Sequence, residues 1–349
     1  MKKNILIFLI FSSPIFAQYN IKYAETISKL ELKKHILILT SDTLEGRETG
    51  KPGQKKAANY IADHFKKIGI PPSVKEKNKY TKRIESSYFQ KFRVKSNRHL
   101  CKCDDCDVDF IKDILGVKRW IEGENVLGYI EGSDLKDELV IITAHYDHLG
   151  KHDTLIFPGA DDNGSGTAAT LEIAKAFMLA KKEGNGPRRS ILIMPVSGEE
   201  KGLLGSKYYT KKPVFPLENT IANLNIDMIG RIDDWHKDGN YVYLIGSDML
   251  SNELHNISEE VNKKHIKLEL DYTFNEKDDP NRYYYRSDHY NFAKNKIPVI
   301  FYFNGVHEDY HKMTDTIEKI DFDKTKKITQ LIFLTAWDLA NRDERPKLN

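Results

Sequence analysis

Residues 140–147, V-I-I-T-A-H-Y-D, decide the fold because an apolar run ends directly at a histidine and a carboxylate. The β-branched and small apolar residues of this run are typical of a buried strand. His145 and Asp147 follow at the point where that strand ends. In α/β proteins, functional sites gather beyond the carboxyl ends of the strands. The stretch therefore indicates an α/β fold and locates a candidate site within it.

The same succession of an apolar run and a polar group recurs along the chain. Residues 159–166, G-A-D-D-N-G-S-G, carry an aspartate pair and open a predicted helix. Acidic residues follow the apolar runs 191–196 and 221–226, and a histidine follows the run 299–303. We expect these side chains to meet at one edge of the sheet. The candidate metal ligands among them are His145, Asp162, Glu200, Asp227 and His311.

Predicted strands and helices alternate along the chain, which favours a single α/β domain whose sheet is covered by helices on both faces. Pro195 is unusual in its strand, because proline cannot donate a hydrogen bond to a ladder. Residues 74–123 are polar and Lys-rich, and we expect an irregular insertion there. Strands are predicted at 125–130, 139–144, 190–196, 222–228, 241–245 and 298–303. Helices are predicted at 24–37, 54–68, 164–180, 251–264 and 324–341.

The candidate ligands are of the types that zinc accepts, namely imidazole nitrogen and carboxylate oxygen without thiolate. Two metal ions held roughly 3.5–4 Å apart need about four terminal ligands and one shared carboxylate. The number of candidates matches, so we expect a site for two Zn²⁺. Asp147 lies two residues after His145. In an extended segment both side chains project to the same side, so Asp147 can orient the imidazole.

Glu199 and Glu200 are adjacent and therefore point in different directions. The simplest interpretation is that one is a ligand and the other a general base, which takes a proton from an attacking water. Each motif alone has a structural explanation: a surface His-x-Asp pair, a solvated Glu-Glu pair, or a turn with a helix cap. Their joint occurrence, in order and after predicted strands, is what indicates a site.

Composition gives no support to nucleic-acid binding. The chain has 54 basic and 51 acidic residues among 349, a net charge of +3, which is close to balance. Hydrophobic residues make up 40% and charged residues 30%, as in ordinary globular proteins.

Residues 1–17 have the layout of a secretory signal peptide. A basic start at Lys2 and Lys3 precedes an apolar run over 5–10, and cleavage is predicted after Ala17. A buried N-terminal helix is the alternative. The run is too short for a permanent membrane span, and no other segment is suited to one. We therefore expect a periplasmic or secreted protein with a catalytic domain over 18–349.

Three cysteines, Cys101, Cys103 and Cys106, lie within the predicted insertion. Export favours a disulfide, although an odd number leaves one thiol over. A metal site is the alternative, but a tetrahedral site needs a fourth ligand. That ligand would come from His99, Asp104 or Asp105. The pattern favours a disulfide or free thiols.

Taken together, these motifs resemble those of the bacterial secreted dizinc aminopeptidases, a family that includes aminopeptidase Y and the ectodomain of glutamate carboxypeptidase. The resemblance spans roughly Leu30 to Trp337. The matching segments are 144–150 (A-H-Y-D-H-L-G), 159–166, 198–206, 225–230, 287–289, 310–311 and 315–316, and residues 41–53 are also similar.

This resemblance implies a mixed, mainly parallel sheet and assigns roles to individual residues. His145 and Asp227 would bind one zinc ion, while Glu200 and His311 would bind the other. Asp162 would bridge the two ions. The residues assigned a catalytic or supporting role are Glu199 as general base, Tyr310 or alternatively Tyr284 as oxyanion stabiliser, and Asp147, Asp288 and Asp315 as supporting carboxylates.

The function expected from this resemblance is zinc-dependent removal of N-terminal amino acids from peptides. A carboxypeptidase and a glutaminyl cyclase of the same fold are the enzyme alternatives. The resemblance implies that a cyclase would have a one-zinc site without the complete two-metal ligand set. A non-catalytic binding domain on the same scaffold is the alternative from another class. The complete ligand set, together with Glu199, favours hydrolysis. Peptides are the expected partners, and no oligomeric state is indicated.

Overall fold

The structure is a computed structural model that describes residues 20–77, 81–95 and 120–349. The predicted signal peptide and the three cysteines lie outside these residues. None of the helices in the described part is both long and apolar enough to cross a membrane.

The described residues form an α/β domain, and its elements match most of the predicted ones within a few residues. The main helices are α1 (Lys29–Leu39), α2 (Pro52–Ile68), α3 (Gly166–Lys182), α4 (Leu204–Lys211), α5 (Asn252–Val261), α6 (His289–Ala293) and α7 (Phe322–Asn341). The strands are β1 (Val74–Lys77), β2 (Ile84–Ser87), β3 (Phe89–Lys95), β4 (Trp120–Val126), β5 (Gly128–Ile130), β6 (Leu135–His145), β7 (Gly150–His152), β8 (Leu155–Phe157), β9 (Arg189–Val196), β10 (Thr220–Ile226), β11 (Tyr241–Ile245), β12 (Glu269–Asp271) and β13 (Val299–Phe303).

The central sheet has seven strands in the order β12-β11-β13-β10-β6-β9-β5. Its four middle strands β13, β10, β6 and β9 are parallel to their neighbours in that group. Strand β5 runs antiparallel to β9, and β11 runs antiparallel to β13. The sheet is therefore mixed and mainly parallel, as predicted.

Helices cover both faces of this sheet. Successive residues of a strand point to opposite sides, so each strand contributes side chains to both layers. Val140 and Ile142 of β6 pack in a core with α1, α2, α3, α5 and α7. Leu139 and Ile141 face a second core, which contains Phe292 of α6. Both layers are built from buried aliphatic and aromatic side chains, whose close packing holds the strand ends in register.

Local signals explain where the helices begin and end. The hydroxyl of Ser28 accepts hydrogen bonds from two backbone amides of the first turn of α1. Helix α2 begins at Pro52 and is followed by Gly69 with φ +92°, a left-handed C-cap that suits glycine. Asp321 caps α7 in the same way as Ser28 caps α1.

The predicted irregular insertion is the clearest difference from the sequence prediction. Its described residues form strands: β1 pairs with β2, and β3 pairs with β4 over seven residue pairs. Most of their side chains are exposed or half-buried, so the apolar alternation that identifies a strand is weak there.

Pro195 lies inside β9, as predicted, and its position explains how the sheet accommodates it. It is opposite Ala144 of β6, where the parallel pairing continues to Val196. On the other side of β9, pairing with β5 ends at Ile193. Pro195 therefore lies beyond the end of the neighbouring edge strand, where a missing amide costs the ladder little.

Candidate metal centre

The five predicted ligands converge at the carboxyl end of the central sheet. His145 is the last residue of β6, and Asp227 directly follows β10. Glu200 lies in the turn after β9, and His311 lies in the loop after β13. Asp162 lies in the turn that leads into α3. The strand ends thus bring together side chains up to 166 residues apart in sequence, the separation of His145 and His311.

The ligands form two groups that share Asp162. In the first group, His145 Nε2 lies 3.1 Å from Asp227 Oδ1 and 3.4 Å from Asp162 Oδ1. In the second group, His311 Nε2 lies 3.1 Å from Asp162 Oδ2 and 3.4 Å from Glu200 Oε2. Each oxygen of Asp162 therefore faces a different histidine–carboxylate pair.

These distances fit zinc. With zinc–ligand bonds of about 2.0–2.1 Å, two ligand atoms at the corners of a tetrahedron lie roughly 3.3–3.4 Å apart. The separations within each group span 3.1–3.4 Å. The chemistry of the donors also fits, since imidazole and carboxylate are zinc ligands.

The electrostatics of the site also suit cations. Burial alone would lower the pKa of His145, but Asp227 and neighbouring carboxylates raise it well above its usual range. Burial likewise opposes the charge on His311, yet Asp162 and Glu200 raise its pKa to about 10. The carboxylates thus create a strongly negative field at both imidazoles, which divalent cations would neutralise.

His148 is a site residue that the prediction did not assign, although it lies in one of the matching segments. Its Nδ1 is 2.9 Å from Glu200 Oε1 and 3.7 Å from Asp162 Oδ2. The ring is buried, and its Nδ1 forms a further potential metal-binding group with Asp162 and Glu200, the same two carboxylates that face His311. An Nδ1–H that donates to Glu200 would hold that carboxylate in place.

Asp147 is buried behind His145, but it supports the imidazole differently from the prediction. The backbone oxygen of Asp147 lies 3.1 Å from His145 Nδ1, whereas its carboxylate Oδ1 is 3.8 Å away. A carbonyl only accepts, so Nδ1 carries the proton and Nε2 is left as the metal-binding atom. The carboxylate instead accepts from Thr49 Oγ1 at 2.6 Å and from the Glu199 amide at 3.3 Å.

A chain of buried hydrogen bonds orients Asp227. Ser287 Oγ donates to Asp227 Oδ2 at 2.7 Å. Asn225 Nδ2 donates to Ser287 Oγ at 2.8 Å, and Thr143 Oγ1 donates to Asn225 Oδ1 at 2.6 Å. Asn225 and Thr143 are paired across β10 and β6. The first ligand group is therefore tied directly to the sheet.

The two aspartates of residues 159–166 have separate tasks. Asp162 faces the two ligand groups. Asp161 instead accepts hydrogen bonds from the Gly230 amide at 2.6 Å and from Ser165 Oγ at 2.9 Å. The Asp315 carboxylate accepts from the backbone amides of Asp161 and Asp162 at 3.0–3.1 Å. Burial, then the charge of Asp161, raises the pKa of Asp315 to about 6. Asp315 thus supports the turn that presents Asp162.

Arg47 holds the same turn from the other side. Its guanidinium is fully buried and donates to the backbone oxygens of Tyr146, Pro158 and Gly159 at 2.7–2.9 Å. Gly159 has φ +56°, and a Cβ there would lie 2.2 Å from the Asp162 carbonyl oxygen. The segment 41–53, which also showed the resemblance, therefore acts on the site through Arg47.

Glu199 lines the cavity above the ligands, as expected for a base. Burial raises its pKa well above the usual range, and Glu200 and Asp227 act in the same direction. The turn before it needs Gly198, where φ is +82° and a Cβ would lie 2.8 Å from Leu204. The two side chains point to different places: Glu200 lies 3.4 Å from His311 Nε2 and 2.9 Å from His148 Nδ1, whereas Glu199 lines the cavity.

Tyr310 and Tyr284, the two candidate oxyanion residues, occupy different places. The Tyr310 ring lies 3.9 Å from the ring of His311 and lines the cavity. Burial and the nearby carboxylates raise the pKa of Tyr310, so its hydroxyl keeps its proton. Tyr284 packs on His289 and Tyr290 and is not among the residues that line the cavity. The position of Tyr310 in the cavity lining favours it over Tyr284 as the oxyanion candidate, and this role stays a prediction.

Asp288 lies behind the ligands rather than among them. It is fully buried and accepts a hydrogen bond from Ser206 Oγ. Burial raises its pKa to about 7, and Asp147 and Asp227 contribute to the increase.

The wall of the cavity opposite the ligands is apolar and partly aromatic. It is formed by Met228, Tyr283, Phe301, Phe303 and Val306. Arg286 and Ser287 complete the lining, and Arg286 is exposed. The site thus combines an acidic floor with an apolar wall.

A model of peptidase family M28 matches residues 125–336, more than half of the chain. A probable zinc metalloprotease of the fungus Pyrenophora tritici-repentis is 29% identical over 270 residues, which cover 64% of this chain and 53% of that protein. Aminopeptidase YwaD of Bacillus subtilis is 27% identical over 232 residues, which cover 64% of this chain and 46% of YwaD. The chain thus spans about half the length of these relatives.

Solved structures share the fold. The LapA aminopeptidase of Legionella pneumophila superposes with a TM-score of 0.68 at 20% identity, covering 99% of this chain and 79% of LapA. The glutaminyl cyclase of Porphyromonas gingivalis gives a TM-score of 0.61 at 16% identity, covering 88% of this chain and 97% of the cyclase. At such identities the likeness concerns the fold and does not separate the two activities.

Proposed function

Because the chain belongs to peptidase family M28, we propose that it is a two-zinc aminopeptidase that releases N-terminal amino acids from peptides. The observation that carries the proposal is the geometry of Asp162, whose two oxygens face two separate histidine–carboxylate pairs. A bridging carboxylate between two ligand pairs is the arrangement of a two-metal hydrolytic site. A one-metal cyclase would not need it.

His145 and Asp227 would hold one zinc ion, and Glu200 and His311 the other. Bound zinc would polarise the scissile carbonyl and lower the pKa of water. Glu199 would take the proton of the attacking water and return it to the departing amine. The Tyr310 hydroxyl would donate a hydrogen bond to the oxyanion that develops on the carbonyl oxygen.

The charge distribution favours a free N-terminus over a free C-terminus at the reacting centre. Glu199 is the carboxylate of the cavity lining that is not a proposed zinc ligand, and it would attract an ammonium group and repel a carboxylate. The cationic side chain of the lining, Arg286, is exposed. A carboxypeptidase would need a cationic side chain inside the cavity to bind the C-terminal carboxylate of its substrate.

The apolar wall of the cavity favours substrates whose N-terminal residue has a bulky apolar side chain. Met228, Phe301 and Phe303 would contact its side chain. Each methylene that a pocket of this kind buries is worth about 1–3 kcal/mol in discrimination. We therefore expect leucine or phenylalanine to be preferred over alanine, and charged residues to be rejected.

The test is a peptide panel combined with measurement of zinc content. We expect release of leucine from Leu-Gly-Phe and from its C-terminal amide, no release after N-terminal acetylation, and two zinc ions per chain. Cleavage of the acetylated peptide from its C-terminus would favour a carboxypeptidase. Cyclisation of Gln-Phe without hydrolysis of the leucine peptides would favour a glutaminyl cyclase.

The layout of residues 1–17 supports export as part of this proposal. N-terminal sequencing of the protein from its native cells should place the mature start near Gln18. An intact Met1 on cytoplasmic protein would contradict it.

A further inference from the structure

A second depression, an open groove, begins at the reacting centre and leads away from it. It shares Glu199, Arg286 and Tyr310 with the cavity. From there it extends past Lys207 of α4 and past Tyr290 and Lys294 at α6. The cavity has an apolar wall, whereas this groove is lined by charged and aromatic side chains.

The groove presents three cations, Lys207, Arg286 and Lys294, all of them exposed. Within residues 20–77, 81–95 and 120–349, none of the three forms an ion pair with a carboxylate within 4.0 Å. Other lysines of this protein do form such pairs, for example Lys55 with Glu124 and Lys201 with Glu48. The groove thus places three cations without such a pair beside the reacting centre.

The surroundings do not neutralise these cations. Two acids line the groove: Glu200 is a proposed ligand whose charge zinc would balance, and Glu199 lies at the end that the groove shares with the cavity. Partial burial and the neighbouring ammonium groups of Lys207 and Lys211 lower the pKa of Lys294. The lysines are thus close enough to repel one another, and a bound anion would relieve that repulsion.

Aromatic side chains hold the cations in place along the groove. The ammonium group of Lys294 lies 4.7 Å from the centroid of the Tyr290 ring, and the Arg286 guanidinium lies 4.9 Å from that of Tyr283. The rings of Tyr285 and Tyr290 contact each other edge to face at 5.0 Å. Cation–π contacts of this kind restrict long basic side chains.

Because the groove adjoins the cavity at Glu199, Arg286 and Tyr310, a peptide whose N-terminal side chain fills the cavity can extend along it. We propose that the groove selects peptides carrying a carboxylate within the first residues after the scissile bond. The inference rests on the proposed aminopeptidase function, because it takes the N-terminus to lie in the cavity. The carboxylate is supplied either by an aspartate or glutamate side chain or by the free C-terminus of a short peptide.

The experiment compares four substrates that differ only in charge: Leu-Gln-amide, Leu-Glu-amide, Leu-Gln with a free C-terminus, and Leu-Glu with a free C-terminus. Exposed ion pairs contribute little free energy. We therefore expect kcat/KM to rise about fivefold at low salt for each carboxylate that the groove binds. That advantage should shrink as salt screens the charges. The arm that shows the larger rise identifies the source of the carboxylate.

The matched variants are the double substitution Lys207→Glu with Lys294→Glu, and the control Lys66→Glu. Lys66 is an exposed lysine of α2 that lines neither depression. The double variant should lose or reverse the preference for acidic substrates, and the control should keep it. The ratio of acidic to neutral kcat/KM is the readout, so a general loss of activity does not imitate the effect.

Hydrolysis of Leu-Gln-amide reports on the proposed function, and the ratio of substrates reports on the groove. Equal kcat/KM for all four substrates would overturn the groove inference alone. A preference that persists in the double variant would overturn it as well. If no substrate is hydrolysed, calorimetric binding of the same four peptides to the zinc-loaded protein gives the same comparison, and equal affinities would then be the negative result.

Discussion

The two halves of the candidate metal centre are built in different ways. The strand-anchored half consists of His145, which ends β6, and Asp227, which directly follows the neighbouring parallel strand β10. Their side chains are 2% and 12% exposed. The loop-held half, Glu200 and His311, lies in the segments after β9 and β13. The side chain of His311 is 36% exposed, and its backbone has φ +57°.

If both ligand groups bind zinc, as proposed, this difference would make the two sites unequal. Ligands fixed by strand pairing and buried hydrogen bonds lose little freedom when a metal binds, whereas loop ligands must be ordered. Of the four side chains, that of His311 is the most accessible to water, whereas that of Glu200 is 8% exposed. We therefore expect the strand-anchored half to bind zinc more tightly.

The largest effect is expected at Asp162, the residue that both halves share. Asp162→Ala should remove ligands from both sites, so zinc content and leucine release should fall to background. Chelation of the unaltered protein should do the same, and added zinc should restore activity. Metal analysis and hydrolysis of Leu-Gly-Phe measure both effects.

The neighbouring Asp161 offers a matched control for that variant. It is buried among the Gly230 amide, Ser165 and His307 and does not face the two ligand groups. Asp161→Asn should therefore lower the free energy of unfolding by about 1–3 kcal/mol, since it weakens buried hydrogen bonds, while zinc remains. Two zinc ions at near-normal occupancy in Asp162→Ala would contradict the bridging role.

The next effect separates chemistry from metal binding. Glu199→Gln keeps the shape of the side chain but cannot accept a proton, so kcat should fall by about 10²–10⁴. Both halves should keep their zinc, because no proposed ligand is lost. Kinetics and metal analysis on the same preparation measure this. An active Glu199→Gln beside an inactive but fully metallated Glu200→Gln would mean that the two roles are reversed.

A smaller effect is expected from the hydrogen bonds behind the ligands. Ser287→Ala removes the donor to Asp227, and His148→Ala removes the buried partner of Glu200. Loss of such a contact typically weakens metal affinity about 10–100-fold. Competition titration with a chelator should show that Ser287→Ala weakens the tighter zinc and that His148→Ala weakens the looser one. The reverse assignment would argue against the comparison of the two halves.

The smallest effect is the difference between the two sites in the unaltered protein. Dialysis against graded chelator should remove one zinc before the other, with dissociation constants that differ by about tenfold or more. His311→Ala should retain one zinc through this series. Simultaneous loss of both ions from the unaltered protein would show that the two halves bind equally.

The sequence by itself predicted the strands of the central sheet except β12, and it predicted which side chains would meet at the sheet edge. Buried parallel strands need continuous apolar runs, and this requirement is local enough to be visible at residues 139–144 or 241–245. Polar residues directly after such runs stand out for the same reason. The strands of residues 74–95 were missed because exposed, polar strands lack that apolar signal.

Only the tertiary structure decided how the side chains are paired. The convergence of His148 on Glu200 and of Ser287 on Asp227 joins residues from separate segments. Likewise, Tyr283 rather than Tyr284 lines the cavity, and the carbonyl rather than the carboxylate of Asp147 meets His145. Rotation about one or two bonds moves a side-chain atom by a few ångströms, which is enough to change its partner. Packing against residues distant in sequence determines which rotation is adopted. A linear pattern indicates which residues reach the sheet edge, but the direction of each atom is set by the contacts that surround it.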